Sequence, residues 1–174
     1  MQRFIYGGHY MTKLYNLDYK SPIGIIEING SESAVCSILF AERQQLLNVA
    51  NQCTPQVLLD CVKQLDEYFH GQRFHFTFPY HIEGTQFQKQ VWQALTDIAY
   101  AEQGTYKAIA LSIGNEKAIR AVGNANGKNK LSIVIPCHRI IGSDGTLTGY
   151  AGGLWRKEWL LQHEKSCRNS SARQ

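Results

Sequence analysis

The sequence contains no apolar run long enough to cross a membrane, and its first residues lack the apolar core of a secretory signal peptide. We therefore predict a cytoplasmic protein without a membrane partner. Met11 offers an alternative start, which would make the first ten residues a poorly ordered extension. Repeats and low-complexity tracts are also missing, so the 174 residues, 44% of them hydrophobic, can bury the core of one domain or of two small ones.

Cysteine pairing is a second absence. The chain has five cysteines, an odd number, and no two of them form a C-x-x-C pair. No cluster of cysteine and histidine has the spacing of a zinc site. This pattern argues for a reducing compartment and against a disulfide framework, and it predicts neither a bound metal nor another cofactor.

Acidic residues are scarce in the second half of the chain. Residues 1–104 carry seven Lys or Arg against ten Asp or Glu, a net charge of −3, whereas residues 105–168 carry ten against four, a net charge of +6. A basic half suggests contact with a polyanion such as nucleic acid. An ordinary solvated face would give the same count, so charge alone leaves both interpretations open.

The first half predicts a small antiparallel sheet. Apolar runs predict strands at residues 24–28 and 34–40, and Asn29–Gly30 between them is a strong hairpin signal. Residues 74–78 alternate strictly between aromatic and polar side chains, which predicts one more strand.

A helix is predicted between these strands. Thr54 has the character of an N-cap, Pro55 suits the first helical position, and Gly71 marks the end. The first 84 residues thus predict a small α/β domain without recognisable chemistry.

The second half is predicted to be mainly helical. Thr85 and Gln88 form a capping box at the start of one helix. Residues 105–112 and 116–123 predict two short helices joined by a glycine-containing turn, which is the spacing of a helix-turn-helix unit. The predicted class is α+β, with an N-terminal domain at residues 1–84, a mainly helical domain at residues 85–168 and a polar tail at residues 169–174.

Small residues dominate the second helix of this unit. Ala118, Ala121 and Gly123 cannot reach base edges in a major groove, but they permit close approach to a narrow minor groove. Lys117 and Arg120 add positive charge to the same segment. Two core helices that meet at an alanine-rich seam would show the same pattern, so the spacing alone leaves both interpretations open.

A thiol follows the most distinctive apolar run of the chain. Residues 132–135 predict a strand that ends at Pro136, and Cys137, His138 and Arg139 come next. A free thiol with a pKa of about 8.5 is mostly protonated at neutral pH, and cationic or histidine neighbours are the usual means of lowering that pKa. The backbone must turn here for His138 to assist Cys137. An inert buried cysteine is the alternative.

A glycine-rich loop and an amphipathic helix follow the cysteine. Tyr150 in the loop could cover a pocket or simply pack, and Glu164 in the helix could orient His138 or be a surface charge. The predicted apolar face of the helix consists of Trp155, Trp159 and Leu160.

Several motifs resemble those of the O6-alkylguanine-DNA alkyltransferases, also called methylated-DNA–protein-cysteine methyltransferases. The resemblance covers residues 79–165 in order, whereas residues 13–78 fit the family's variable N-terminal domain only in general shape. Ala99, Ala101 and Lys130 depart from the Pro, Gly and Pro of many members, and the zinc ligands known in some members have no evident counterpart. The matching segments are Thr85-Gln86-Phe87-Gln88, Val91-Trp92, Arg120-Ala121-Val122-Gly123, Asn129, Pro136-Cys137-His138-Arg139, Tyr150-Ala151-Gly152-Gly153 and residues 157–164.

The resemblance implies a DNA repair protein that moves an alkyl group from O6 of guanine irreversibly to its own cysteine. Cys137 would be the nucleophile, His138 would accept the thiol proton through a water, and Glu164 would orient the imidazole. Asn129 would order the loop around the thiol, and Tyr106 would donate a proton to the departing guanine. O4-alkylthymine is a second substrate that the sequence leaves open.

The resemblance also implies that the damaged nucleotide leaves the duplex, because a stacked base cannot reach a buried thiol. Arg120 would fill the vacated space. We expect a monomer that needs no cofactor and binds double-stranded DNA containing O6-alkylguanine through the minor groove. The other DNA-binding residues would be Lys117, Ala118, Ala121 and Gly123, and the substrate pocket would consist of Tyr150, Ala151, Gly152 and Ile140.

Three other functions fit parts of the pattern. A lesion sensor that binds alkylated DNA without repair would lack the cysteine, so Cys137 argues against it. A cysteine hydrolase would not explain the helix-turn-helix spacing or the charge asymmetry. A transcription regulator with sequence-specific readout would need a recognition helix less rich in alanine than residues 116–123.

Overall fold

The computed structural model describes residues 5–6, 9–10 and 13–171. The predicted start at Met11 and residues 172–174 of the predicted tail lie outside them. Strands β1 (Ile5–Tyr6) and β2 (His9–Tyr10) form a short antiparallel ladder. The main sheet is antiparallel in the order β3-β4-β5, with β3 at Tyr15–Ser21, β4 at Gly24–Gly30 and β5 at Val35–Ala41.

Asn29 and Gly30 do not form the hairpin turn that the sequence predicts. Both belong to β4, and the turn begins at Ser31. The Ser31 hydroxyl accepts hydrogen bonds from the amides of Ser33 and Ala34 at 3.2 Å each, so a serine-based turn takes the place of an Asn-Gly turn. Gly30 is needed for its small size, since an added Cβ would lie 2.6 Å from the Ala34 carbonyl oxygen.

Helix α1 (Gln56–Phe69) packs against β3, β4 and β5. Thr54 is not its N-cap, because the Thr54 hydroxyl accepts a hydrogen bond from the Asn51 amide at 2.9 Å and Pro55 precedes the helix without a side-chain cap. Gly71 follows the helix with a φ of +70°, in agreement with the predicted stop. The residues fully or almost fully buried on its inner face are Leu58, Cys61, Leu65 and Tyr68.

The alternating segment at residues 74–78 is not a strand. Phe76 packs against Tyr68 of α1, with ring centroids 5.8 Å apart. The Thr77 amide donates to the side chain of Gln64 at 2.8 Å. The alternating pattern predicted that this segment would pair with a neighbouring strand. Helix α1 provides the apolar contact and the hydrogen bond instead.

The second half is helical, as predicted. The capping box of Thr85 and Gln88 begins the first helix. The second helix of the helix-turn-helix runs past the predicted end at residue 123, because packing overrides the turn preference of its Asn and Gly residues: the indole of Trp92 donates to the Ala125 carbonyl at 2.8 Å. The elements are α2 (Gln86–Thr96), α3 (Tyr106–Ser112), a 3₁₀ turn (Glu116–Ala118), α4 (Ile119–Gly127), α5 (Leu154–Ser171), and a two-residue parallel ladder of β6 (Gly104–Thr105) and β7 (Ile140–Ile141).

The apolar run before the cysteine is a series of turns rather than the predicted strand. Ile133 has a φ of +73°, which interrupts any extended pairing. Strand β5 holds the start of the run, because the Ile38 amide donates to the Lys130 carbonyl at 2.7 Å and the Ser132 amide donates to the Ile38 carbonyl at 3.0 Å. A short apolar run predicts that a segment is buried, but it does not predict whether that segment is a strand.

Helix α5 has a largely charged buried face. Arg156, Lys157 and Glu164 are buried beside Leu160, whereas Trp155 of the predicted apolar face is 56% exposed. Buried charges need partners, and on this face Glu164 pairs with Arg139 while Arg156 pairs with Glu42.

Apolar side chains from the sheet, from α1 and from the later helices form one continuous cluster. The fold therefore has the predicted α+β class, with a small antiparallel sheet and helix followed by a helical part that carries the cysteine. No helix within the described residues is long and apolar enough to span a membrane.

Candidate active site

Cys137 begins a 3₁₀ turn that follows Pro136 directly, so the backbone does bend at the place where assistance of Cys137 by His138 would need it to bend. The residue is 4% exposed, and its Sγ accepts a hydrogen bond from the Asn129 side-chain amide at 3.1 Å. The same amide donates to the Ile135 carbonyl at 3.0 Å, while Asn129 Oδ1 accepts from the Leu131 amide at 2.9 Å. Asn129 thus ties together the loop that carries the thiol.

Burial raises the pKa of the Cys137 thiol, although the Asn129 hydrogen bond and the charge of Lys157 act in the opposite direction. The structure therefore does not show the lowered thiol pKa that basic neighbours were expected to produce. A thiol that is protonated at rest needs a base during the reaction.

His138 is fully buried, and its Nε2 lies 2.9 Å from Oε1 of Glu164. Burial alone would raise the pKa of Glu164, but the hydrogen bonds and charges of His138 and Arg139 hold it well below its usual range. The ionised carboxylate can only accept, so Nε2 carries the proton. Burial lowers the pKa of His138, which favours a neutral imidazole with a bare Nδ1. Nδ1 has no hydrogen-bond partner among the described residues, so it is free to accept a proton.

Glu164 collects hydrogen bonds from three parts of the chain. Its Oε1 accepts from the Tyr68 hydroxyl at 2.9 Å, from His138 and from Arg139 Nη2 at 3.0 Å. Its Oε2 accepts from the Ala101 amide at 3.0 Å and from Arg139 Nε at 2.9 Å. Both oxygens are therefore saturated, and the carboxylate cannot rotate away from the imidazole.

Lys157 places a buried amine near the thiol. Burial lowers the pKa of Lys157 to about 8. Its Nζ donates to the Thr148 carbonyl at 2.8 Å, and the Thr148 hydroxyl donates to the Tyr106 hydroxyl at 2.9 Å. The Tyr106 oxygen accepts that hydrogen bond, so its own proton remains for another acceptor.

The predicted pocket loop rests on β5. The Tyr150 ring packs edge-on against Phe40 with centroids 6.3 Å apart, and a Cβ added to Gly152 would lie 2.6 Å from the Phe40 ring. Ala151 between them is exposed, and Ile140 is buried in β7.

Arg156 ties this loop to the N-terminal sheet. Its Nη1 donates to the Gly152 carbonyl and to the Glu42 carboxylate, both at 2.8 Å, and its Nε donates to the Ile23 carbonyl at 2.9 Å. The guanidinium also lies 4.9 Å from the centre of the Phe40 ring. The shape of the pocket loop therefore depends on the N-terminal sheet.

The predicted DNA-binding residues lie along the 3₁₀ turn and the start of α4. Lys117, Arg120 and Ala121 are exposed, and Ala118 is half-buried. Gly123 faces α3, where an added Cβ would contact the Tyr106 ring at 3.8 Å. Among the described residues, no hydrogen bond joins Lys117, Arg120 or Ala121 to the group of Cys137, Asn129, His138 and Glu164.

Sequence reasoning gave no role to Tyr68, Lys157, Phe40 or Arg156, and it considered Arg139 only as a cation near the thiol. Lys157 had a signal, because it lies seven residues before Glu164 and so shares one face of the helix. Tyr68 had none, since it precedes Glu164 by 96 residues and only the fold brings the two together. Within the described residues, no group of three or more His, Cys, Asp or Glu side chains is placed to hold a metal ion.

A helix-turn-helix unit that shares one chain with a buried thiol, followed directly by a histidine held by a carboxylate, fits the class of proteins that carry out thiol chemistry on nucleic acid. Residues 14–82 match the family model of the 6-O-methylguanine DNA methyltransferase ribonuclease-like domain, and residues 86–166 match that of the DNA binding domain of the same methyltransferase. The chain belongs to the 6-O-methylguanine DNA methyltransferase family, which confirms the resemblance seen in its motifs.

Curated relatives carry the name methylated-DNA–protein-cysteine methyltransferase. The relative from Methanosarcina acetivorans is 43% identical over 156 residues, which cover 88% of this chain and 100% of the relative. The relative from Haemophilus influenzae is 44% identical over 158 residues, which cover 89% and 88%.

Solved structures agree with the family. The crystal structure of Mycobacterium tuberculosis O6-methylguanine methyltransferase matches with a TM-score of 0.79 at 39% identity, over 88% of this chain and 94% of that one. A structure of Mycobacterium tuberculosis OGT in complex with DNA matches with the same TM-score at 40% identity and the same coverage.

Proposed function

We propose that the protein repairs alkylated DNA by moving the alkyl group from O6 of guanine in duplex DNA to Sγ of Cys137. The observation that carries this proposal is the buried thiol, which hydrogen-bonds Asn129 and adjoins a neutral His138 that Glu164 orients. The names of the relatives support the reaction class.

His138 starts the reaction by accepting the proton of the Cys137 thiol at Nδ1 through a water molecule. The thiolate then attacks the alkyl carbon, so that a sulfur–carbon bond forms while the bond from carbon to O6 breaks and its electron pair stays on O6. The Asn129 hydrogen bond and the charge of Lys157 stabilise the thiolate, because both favour the charged form of the sulfur.

The departing guanine anion takes a proton from the Tyr106 hydroxyl. The proton that left Cys137 replaces it by way of His138 and solvent, so the net change moves one proton from sulfur to guanine and one alkyl group from oxygen to sulfur. Neither an oxidant nor a reductant takes part. The thioether product is not hydrolysed as a thioester would be, so each molecule reacts once.

The base reaches Cys137 by leaving the duplex, and Arg120 fills the space that it vacates. The exposed Lys117 and the small exposed Ala121 suit close approach to the phosphates and floor of a minor groove. Backbone amides of Tyr150 and Ala151 read the edge of the flipped base. Gly123 is half-buried on the same helix, and its small size suits the same close approach to DNA. An added Cβ there would make only an ordinary contact with the Tyr106 ring at 3.8 Å, so the packing of α4 on α3 does not require glycine at this position.

One chain carries every group that this reaction uses, so the protein acts as a monomer on double-stranded DNA. The reacting and DNA-binding groups belong to a domain at residues 85–168, which follows an N-terminal domain at residues 1–84.

Methyl transfer from an O6-methylguanine duplex tests the proposal. The repaired guanine should reach the amount of added protein and then stop. The variant Cys137→Ser should bind the duplex but transfer nothing, because a serine hydroxyl is far less acidic than a thiol. Repeated turnover would favour the hydrolase, and binding without methylation of the wild type would favour the lesion sensor.

A further inference from the structure

The hydroxyl of Tyr68 joins α1 to the pair of His138 and Glu164, and the reaction proposed above does not use it. Tyr68 is 1% exposed, and its hydroxyl donates to Glu164 Oε1 at 2.9 Å. His138 Nε2 lies 2.9 Å from the same oxygen. Burial raises the pKa of Tyr68 well above its usual value, so the hydroxyl keeps its proton and remains a donor.

The Tyr68 ring is held in place by aromatic neighbours on several sides. The centroid of the Tyr68 ring lies 5.3 Å from that of Phe69, 5.8 Å from that of Phe76, 6.2 Å from that of Tyr100 and 5.4 Å from that of His163. Packing of this kind locks the rotamer of the side chain, so its hydroxyl is already aimed at Glu164 before any substrate binds.

We propose that Tyr68 is a positioning residue for alkyl transfer: its hydroxyl shares Glu164 Oε1 with His138 and thereby keeps the imidazole neutral, with Nδ1 ready to accept the thiol proton. This inference rests on the proposed function and deepens it, because it extends the reacting site into the N-terminal part of the chain.

The effect follows from how a carboxylate distributes its charge. A carboxylate that bonded only to His138 would stabilise the imidazolium and raise the pKa of the ring. Each further donor to Glu164 takes up part of the negative charge and weakens its attraction for the second imidazole proton. Tyr68 and Arg139 both act in this way at Oε1.

The effect of Tyr68 on the pKa of His138 can be separated from the effects of the charged groups around His138 and Glu164. The charge of Glu164 favours the imidazolium, while the charges of Arg139 and Lys157 and the burial of the ring disfavour it. Tyr68 is neutral, so its removal changes the hydrogen bonding of Glu164 without changing any charge. Among the described residues, six titratable or charged groups face His138 or Glu164. They are Cys137, Arg139, Lys157, Tyr68 from α1, Tyr100 from the loop after α2, and Tyr150 from the pocket loop.

The variant Tyr68→Phe removes the hydroxyl and keeps the ring. The single-turnover rate of methyl transfer from an O6-methylguanine duplex is measured at saturating protein across pH, and His138 is titrated by NMR in histidine-labelled protein. Because the reaction needs a neutral His138, a higher pKa moves the acid-side loss of rate to higher pH. We expect both midpoints to rise by about one pH unit, with an alkaline plateau no lower than that of the wild type.

The variant Tyr100→Phe is the matched control. Its ring packs against Tyr68, but its hydroxyl makes no hydrogen bond to Glu164 within the described residues, so both midpoints should stay unchanged. Unshifted midpoints in Tyr68→Phe, or equal shifts in both variants, would overturn the inference. A rate that falls by one factor at every pH would also overturn it and leave Tyr68 a purely structural role. Failure of the wild type to methylate Cys137 would instead sink the proposed function.

Discussion

At the scale of single residues, Glu164 links the stability of the fold to its chemistry. The side chain is fully buried, and Arg139 binds both of its oxygens. Removing one member of a buried ion pair leaves the other charge without compensation, so it costs far more than breaking a surface pair. The same carboxylate orients His138.

The variant Glu164→Gln should therefore lose both stability and activity. We expect a fall of about 3 kcal/mol in the free energy of unfolding, because Arg139 is left buried and unpaired. The single-turnover rate should fall about a hundredfold or more, since the imidazole loses its orientation as a base. Urea unfolding and duplex repair measure the two effects. Unchanged stability would contradict the buried ion pair.

The loss of stability in Glu164→Gln should depend on pH in a definite direction. The pKa of Glu164 is lower in the folded protein than the value of about 4.3 expected in the unfolded chain. Its stabilisation is fully present above that value and is lost as pH falls toward the folded pKa. The difference in unfolding free energy between wild type and Glu164→Gln should hold steady near neutral pH and narrow below about pH 4. A difference that widens on acidification would contradict the assignment.

Ala101 is a residue whose backbone is strained. Its φ is +61°, a region that disfavours a Cβ by about 1–2 kcal/mol, and its amide donates to Glu164. The variant Ala101→Gly relieves this strain but adds about 0.5–1 kcal/mol of unfolded-chain entropy. We expect a net stabilisation of up to about 1 kcal/mol in urea unfolding. A clear loss of stability would show that Ala101 is not in this conformation.

At the scale of elements, sequence predicted local interactions and missed distant ones. The capping box of α2 joins residues three apart, so the pattern alone revealed it. Residues 74–78 and 132–135 were both predicted as strands, and both predictions are wrong because their partners in α1 and β5 are far away in the chain. Asn129 was singled out by the family motif, whereas no pattern connects Phe40 with Gly152.

The contact of β5 with the pocket loop can be tested through Gly152. A Cβ there would lie 2.6 Å from Phe40 and 2.9 Å from Tyr150, so Gly152→Ala must displace the loop. A displacement of the substrate contacts should lower the single-turnover rate about tenfold. The matched control Gly149→Ala has no atom within 4 Å of the added Cβ and should react like the wild type. Similar rates in the two variants would contradict support of the loop by β5.

Arg120 in α4 can be tested by separating base flipping from chemistry. Arg120→Ala should slow repair of duplex O6-methylguanine about ten- to a hundredfold at saturating protein, because it removes compensation for unstacking. It should hardly change reaction with the free base, which needs no extrusion. Lys117→Ala, the control for phosphate contact, should weaken duplex binding but keep the saturated rate. An equal drop on both substrates would place Arg120 in support of the pocket.

At the scale of the whole molecule, the N-terminal part shapes the site of the C-terminal part. Strand β5 holds the segment before Cys137, Phe40 backs the pocket loop, and Tyr68 binds Glu164. These contacts belong to one continuous buried cluster, so the two parts cannot shift relative to each other without disturbing the thiol.

The basic second half should make duplex binding weaken steeply with added salt, since phosphate contacts release counterions.

The location of the transferred methyl group tests the central claim most directly. Wild-type protein is incubated with an O6-methylguanine duplex, digested, and mapped by mass spectrometry across all five cysteines. The account predicts one methyl group per molecule, on Cys137 alone, and none in Cys137→Ser. A methyl group on Cys36, Cys53, Cys61 or Cys167, or an unmodified protein after the lesion has been repaired, would contradict it.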